Sequence, residues 1–269
     1  MSNISKAFQK VKQQNSAALI GYITAGDPIL EMTPKIADAL VKGGVDILEL
    51  GLPFSDPIAD GPTIQAASLR ALNAGTTPMR VLEVAKQIKN QHDVPLVVMT
   101  YYNPVLKLGL DNFLAAAKQY GVDGFIVPDL PVEESADYRK AAKAHDLDTI
   151  FLAAPSTSKE RLTKIVDASS GFLYLVSRYG VTGAQTTVED ATVQLIKRIK
   201  PFTAGKVPLA VGFGISKPEH VKRIIAAGAD AAIVGSTFIN IIQNRAQNQK
   251  AMLAELQTTA SALKSATKD

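Results

Sequence analysis

The sequence predicts a single (β/α)8 TIM barrel over residues 1–269, with one extra helix ahead of the first strand. Three observations predict it. Eight short apolar runs alternate with amphipathic stretches from end to end, the order of a parallel barrel. Gly44-Val45-Asp46, Gly121-Val122-Asp123 and Gly228-Ala229-Asp230 recur at separations of 77 and 107 residues, about two and three βα units. No Gly/Ser/Pro-rich linker or low-complexity block divides the chain, so one domain is favoured over two modest ones. A doubly wound sheet, the competing architecture, wants a glycine fingerprint directly after an early strand, and none is there.

Asn3–Gln13 reads as the extra helix, placed to close the barrel floor. The strands read as Ala18–Thr24, Val45–Leu50, Leu96–Tyr101, Gly124–Val127, Thr149–Ala153, Phe172–Val176, Val207–Val211 and Ala231–Val234, each a short, nearly continuous apolar run of the kind buried on both faces. Amphipathic periodicity predicts helices at Glu31–Val41, Met79–Asn90, Asp111–Tyr120, Glu133–His145, Lys159–Ala168, Val188–Lys200 and Pro218–Ala227, with another starting near Thr63. In each Gly-x-Asp triplet the glycine is the residue a helix needs just past its last turn. Asn240–Lys268 reads as one polar helical segment with a fraying end.

A content of 46% hydrophobic residues suffices for a large core. No run approaches the roughly 18 apolar residues of a membrane span. Met1-Ser2-Asn3-Ile4-Ser5-Lys6 lacks the charged start and apolar core of a secretory signal, so the expected location is the cytoplasm. With no cysteine there is no disulfide, thiolate nucleophile or Cys-ligated zinc. The net charge of +4 raises the question of nucleic acid. Lys and Arg are scattered among Asp and Glu along the helices, however, and read as solvated faces with a mild preference for anionic ligands.

In a parallel barrel the carboxyl ends of the strands and the loops after them hold the site. Those ends present Tyr22, Thr24, Glu49, Tyr101, Asp129 and Tyr174, the tyrosines being either packing residues or participants. Glu49 sits inside an apolar strand, where a carboxylate is costly unless paired or functional. Asp56 and Asp60 follow on a proline-stiffened loop, and either could instead cap the helix near Thr63. Gly180–Ala184, Gly212-Phe213-Gly214-Ile215-Ser216 and Gly235-Ser236-Thr237 follow the last three strands. Glycines there let backbone N–H groups approach a phosphate, or simply make tight turns. The long, polar loop Ser177–Thr187, hinged by glycines, is a candidate lid.

No strand carries a lysine, which argues against a Schiff base, and His92, His145 and His220 read as solvated residues away from the strand ends, with no metal cluster. What remains is carboxylate acid/base chemistry on a phosphorylated substrate, with burial raising the pKa of Glu49.

The stretch Glu49-Leu-Gly-Leu-Pro-Phe-Ser-Asp-Pro-Ile-Ala-Asp-Gly-Pro-Thr-Ile-Gln65 resembles the signature of the tryptophan synthase α-subunit family. Ile23–Pro28, Val127–Ser135, Ser177–Gly183 and Gly212–Ser216 resemble further blocks of that family, in order and across nearly the whole chain. The resemblance implies a (β/α)8 lyase that splits indole-3-glycerol phosphate into indole and glyceraldehyde 3-phosphate without metal or organic cofactor in this chain. It also implies a β-subunit partner, in an α2β2 heterotetramer, whose own pyridoxal phosphate joins the indole to serine. By the same resemblance Glu49 protonates the indole ring and Asp60 holds the indole N–H. Gly183, Gly212, Phe213, Gly214, Gly235 and Ser236 would hold the phosphate, Thr182 would also bind substrate, and Tyr22, Met99, Ile126 and Tyr174 would surround the indole and its side chain. Tyr22 stands where some members carry Phe and Leu52 where many carry Val or Ile, which bears on pocket shape. Asp56 is left outside the catalytic pair. A phosphosugar isomerase, a noncatalytic barrel that activates a partner, and a standalone indole-releasing lyase are the alternatives.

Overall fold

The computed structural model describes residues 1–176, 185–212 and 214–268, with the side chains of all but 185–189 among them. Nine parallel strand segments run through the described residues: β1 (Ala18–Thr24), β2 (Ile47–Gly51), β3 (Leu96–Met99), β4 (Gly124–Ile126), β5 (Asp148–Ile150), β6 (Leu152–Ala153), β7 (Leu173–Val176), β8 (Leu209–Gly212) and β9 (Ala231–Val234). Their order is β5-β4-β3-β2-β1-β9-β8-β7-β6. The two ends of that order, β5 and β6, are separated in the chain by Phe151 alone, so they form one stave and the ring closes through it. The expected eight strands are these eight staves, the fifth broken once.

Around the ring lie α2 (Thr33–Lys42), α3 (Pro62–Asn73), α4 (Pro78–Gln91), α5 (Tyr102–Leu108), α6 (Leu110–Gln119), α7 (Ala136–Ala144), α8 (Lys159–Ala168), α9 (Gln185–Thr203), α10 (Pro218–Ala226), α11 (Ser236–Asn244) and α12 (Gln249–Ser265). The expected helix before β1 is α1 (Asn3–Gln13). Its buried Ile4, Phe8 and Val11 pack with the inward residues Ile20, Ile47, Val97, Ile126, Ile150, Phe172 and Ile233, and so floor the barrel. Phe8 and Phe172 have ring centroids 6.1 Å apart. The alternate residues Leu19, Leu48, Leu50, Leu96 and Val98 belong instead to the cluster between sheet and helices. This alternation decides where Glu49 points: two residues on from Ile47, it shares the inward parity of the barrel lumen.

The Gly-x-Asp repeat has a structural cause. Gly44, Gly121 and Gly228 adopt φ of 97°, 87° and 108°, the left-handed conformation that closes a helix and suits glycine. The aspartate two residues on then accepts a backbone N–H from the start of the preceding strand: Asp46 from Leu19 at 2.7 Å, Asp123 from Leu96 at 2.8 Å and Asp230 from Leu209 at 2.7 Å. Each carboxylate also takes a lysine ammonium, from Lys264, Lys89 and Lys200 at 2.7, 3.2 and 2.7 Å.

Two expectations are corrected. The segment Asn240–Lys268 is split between α11 and α12, and its end does not fray. Leu263, Ala266 and Thr267 are buried, the Thr267 carbonyl accepts the Ala17 N–H at 2.9 Å, and Ser16 and Lys268 form a β-bridge. The histidines are not simply solvated. His145 lies 2.8 Å from Asp111, His92 is only 15% exposed beside Asp38, and the His220 ring accepts the Ser216 N–H. Among the described residues no group of three or more His, Cys, Asp or Glu is placed to hold a metal.

Candidate active site

A cavity of about 310 Å³ opens at the carboxyl ends of the strands. Of the residues expected at the site, Tyr22, Glu49, Asp60, Met99, Ile126, Tyr174, Gly214, Gly235 and Ser236 line it together. Gly212 ends β8 and is not among the lining residues. Thr182, Gly183 and Phe213 lie outside the described residues, as does Ser177–Ala184 of the candidate lid. The lid was expected to run to Thr187, but α9 begins at Gln185.

Glu49 is 1% exposed, and neither carboxylate oxygen has a hydrogen-bond partner among the described residues. Burial raises its pKa to about 8, and the charge of Asp60 adds to the rise. A carboxyl group so placed stays protonated near neutrality and can give up a proton when a base appears in front of it. Asp60 is half-buried and its pKa is raised to about 6, again chiefly by burial, with interaction from the Tyr101 hydroxyl pulling it back down. Two carboxyl groups facing one cavity are thereby driven apart in protonation, the arrangement that assigns one the acid and the other the anion.

The alternative capping roles resolve on geometry. The N-cap of α3 is Gly61, with no side-chain cap, and Asp60 meets that helix only through its carbonyl, which accepts from the Gln65 side chain at 2.9 Å. Asp60 therefore keeps its carboxylate for the cavity. Asp56 is exposed and accepts a hydrogen bond from the Ser55 hydroxyl. Asp129, another strand-end residue, caps α5 by accepting the Tyr102 N–H at 2.9 Å.

Tyr22 and Tyr174 flank the carboxylates, and burial pushes both phenols up, so they remain neutral. The Tyr22 hydroxyl lies 3.2 Å from Thr24 Oγ1. Each ring lies against a glycine: a Cβ on Gly51 would stand 2.2 Å from the Tyr22 hydroxyl, and one on Gly212 2.6 Å from that of Tyr174. These glycines make room for the tyrosines, a reason different from the close phosphate approach expected of Gly212. Gly214 does have a backbone reason, at φ 76°.

On the far wall, Gly235 is the N-cap of α11 and Ser236 its first residue, so the N-terminus of that helix, whose first-turn N–H groups have no partner within the helix, lies at the cavity. Thr237 Oγ1 donates to the Ile215 carbonyl at 3.2 Å, joining the last two loops. The described lining residues include no Lys or Arg, so an anion at this wall would be held by backbone N–H groups and the helix dipole. The rest of the wall is mostly apolar, with Thr63 the polar side chain among Ala59, Gly61, Pro62, Ile64, Pro128, Leu152, Val176, Ile215 and Ile233; of these, Leu152, Val176 and Ile233 lie outside every motif of the sequence analysis. Inward parity at the strand ends would have found these three. Leu152, Val176 and Ile233 each lie two residues beyond an inward neighbour, Ile150, Tyr174 and Ala231.

The cavity therefore combines a protonated carboxyl, an anionic carboxylate, an apolar slot wide enough for a ring system and a helix N-terminus suited to a phosphate. Comparison with known proteins gives the family. The family described as Tryptophan synthase alpha chain matches residues 8–268. The tryptophan synthase alpha chain of Methanosarcina acetivorans is 51% identical over 240 residues, 89% of this chain and 86% of that one. The Arabidopsis thaliana alpha chain is 45% identical over 263 residues, 98% and 94% of the two chains. Among solved structures, tryptophan synthase subunit alpha from Legionella pneumophila superposes with a TM-score of 0.89 at 36% identity, covering 99% of this chain and 98% of that one. The tryptophan synthase a2b2 complex from the hyperthermophile Pyrococcus furiosus gives 0.86 at 41% identity, over 93% and 98%. The chain belongs to the tryptophan synthase alpha chain family, carbon–carbon lyases that cleave indole-3-glycerol phosphate to indole and glyceraldehyde 3-phosphate in tryptophan biosynthesis.

Proposed function

We propose that Glu49 and Asp60 carry this cleavage. The observation behind the assignment is the buried, unpartnered Glu49 carboxyl, with its pKa near 8, sharing one cavity with Asp60. Breaking the bond between indole C3 and the side chain needs an electron sink. Protonation of C3 by Glu49 turns the indole into an iminium-like cation. Asp60, ionised, accepts the indole N–H and steadies that charge. Glu49, now a carboxylate, takes the proton of the adjacent side-chain hydroxyl. The C–C bond then breaks, its electrons neutralise the ring, and indole and the aldehyde separate with Glu49 protonated again.

Tyr22, Met99, Ile126 and Tyr174 enclose the indole in this proposal, Gly214, Gly235, Ser236 and the α11 N-terminus hold the phosphate together with Gly183, Gly212 and Phe213, and Thr182 also binds substrate. The apolar lining around the carboxyl groups supports an aromatic substrate over a phosphosugar. The reaction requires no cofactor in this chain, because the protonated indole supplies the sink; no lysine for a Schiff base lies among the described lining residues.

The partner is a tryptophan synthase β-subunit carrying pyridoxal phosphate, in an α2β2 assembly in the cytoplasm. Support comes from the Pyrococcus furiosus a2b2 relative and from exposed apolar side chains at this end of the barrel: Ile58, 83% exposed on the loop after β2, and Leu106 and Leu108, 54% and 40% exposed on α5 after β3. No described helix is long and apolar enough to cross a membrane.

Indole release from indole-3-glycerol phosphate tests the proposal, with native chain and Glu49→Gln each assayed with and without a β-subunit. Native release with almost none from the variant supports it; equal release from both removes Glu49 from the chemistry.

A further inference from the structure

We infer that Tyr101 is a positioning residue for the cleavage: one side chain holds both ends of the loop that carries Asp60, and so fixes where that carboxylate stands. The inference rests on the assignment of Asp60 above.

Tyr101 follows β3 by two residues, is 2% exposed, and does not itself line the cavity. Its hydroxyl accepts the Ala59 N–H at 3.0 Å, one residue before Asp60. Its ring stacks on Phe54 at the start of the loop, with centroids 5.1 Å apart and planes inclined by 26°. Between those two points the chain is mostly exposed. The backbone hydrogen bonds there are local, Ile58 N–H to the Asp56 carbonyl at 2.9 Å and Asp60 N–H to the Pro57 carbonyl at 3.0 Å. Such turns give the loop shape without attaching it to the barrel, and Tyr101 provides the attachment.

The same hydroxyl acts on the Asp60 carboxyl. Asp60 is faced by Glu49 from β2, Tyr22 from β1, Tyr174 from β7 and Tyr101 after β3. Burial raises the Asp60 pKa, and Tyr101 is the neighbour that lowers it. A donor hydroxyl favours the anion that must meet the indole N–H.

Steady-state indole release by native chain, Tyr101→Phe, Phe54→Leu and Asp60→Asn, across about pH 5 to 9, tests this. Tyr101→Phe keeps the ring stack, and water can serve the exposed Ala59 N–H, so its melting temperature stays near native. Its kcat falls roughly tenfold, the size of one lost hydrogen bond in the transition state, while KM changes little. The acid limb of its kcat/KM profile moves to higher pH, so the deficit grows as pH falls. Phe54→Leu loosens the loop but keeps the hydroxyl, and lowers kcat without moving that limb. A Tyr101→Phe profile of native shape, merely scaled or unchanged, overturns the inference, as does a native kcat in Phe54→Leu. If Asp60→Asn is inactive and Tyr101→Phe is unshifted, the role of Tyr101 alone fails; if Asp60→Asn is fully active, the Asp60 assignment fails and takes the inference with it.

Discussion

The Lys264 ammonium lies 2.7 Å from the Asp46 carboxylate, the group that also accepts the Leu19 N–H at 2.7 Å. Lys264 donates to the Ala17 carbonyl as well, at 3.0 Å. One lysine of α12 is thus bonded to the start of β1 and to the turn before β2. Lys264→Met is expected to cost about 1–3 kcal/mol, read as a lower urea midpoint. Asp46→Ala costs more, because it strands both an ammonium and a backbone N–H.

The cleavage requires Asp60 ionised and Glu49 protonated, so kcat/KM should rise through about pH 6 and fall through about pH 8. The two limbs belong to the coupled pair. A rate that stays flat from pH 5 to 9, with chemistry limiting, would contradict the assignment of acid and anion.

The raised pKa of Glu49 also predicts a stability effect. An unfolded glutamate ionises near 4.5 and the folded one near 8. The unfolded chain therefore loses this proton first as pH rises. The stability associated with the protonated group is fully present below about 4.5 and is lost progressively up to about 8. Glu49→Gln does not ionise. Its melting temperature, relative to native, should climb between pH 5 and pH 8 by an amount equivalent to a few kcal/mol, at ~1.4 per pH unit. Calorimetry at the two pH values checks this, and a constant difference would count against it.

Gly51→Ala would place a methyl 2.2 Å from the Tyr22 hydroxyl. Tyr22 must swing toward the cavity or the strand must shift, at about 1–3 kcal/mol. A rise in KM is expected, with a modest fall in melting temperature. Adding Tyr22→Leu should recover most of the stability and leave KM high, because the aromatic wall is then gone.

Ile58 is 83% exposed on the same loop as Asp60. Ile58→Asp should leave melting temperature and unassisted indole release near native, while weakening β-subunit binding by roughly tenfold or more. Titration calorimetry with the β-subunit measures it; unchanged affinity would move the proposed contact elsewhere.

Legibility of the sequence followed how local each cause was. The bounds of β1, β9 and α8 were readable to the residue because apolar runs or helical periodicity are flanked by clear stops. The fold class followed from their alternation. Helix α5, seven residues long, is too short to establish a period. The break between α11 and α12 carries neither Gly nor Pro to announce it. The firm carboxyl-terminal end depends on Ser16, Ala17 and Asp46, about 220–250 residues away, which local pattern does not register. At the site, Glu49 stood out because a carboxylate broke an apolar run. Asp60 needed the family resemblance, since its local context also fits a cap. Leu152, Val176 and Ile233 carry no residue-type signal of a site, and only their inward parity at the strand ends marks them.

The Asp-to-strand bonds at the lower edge join residues 27, 27 and 21 positions apart, whereas Lys264 reaches Asp46 across 218. Short closures cost little chain entropy and form early; the long one waits until its partners exist. Neighbouring staves can thus be stitched two by two before the circle is complete, and α12 acts as the clasp. A variant truncated ahead of Lys264 should retain the stitches and lose the fastening, leaving a barrel that opens first between its earliest and latest strands.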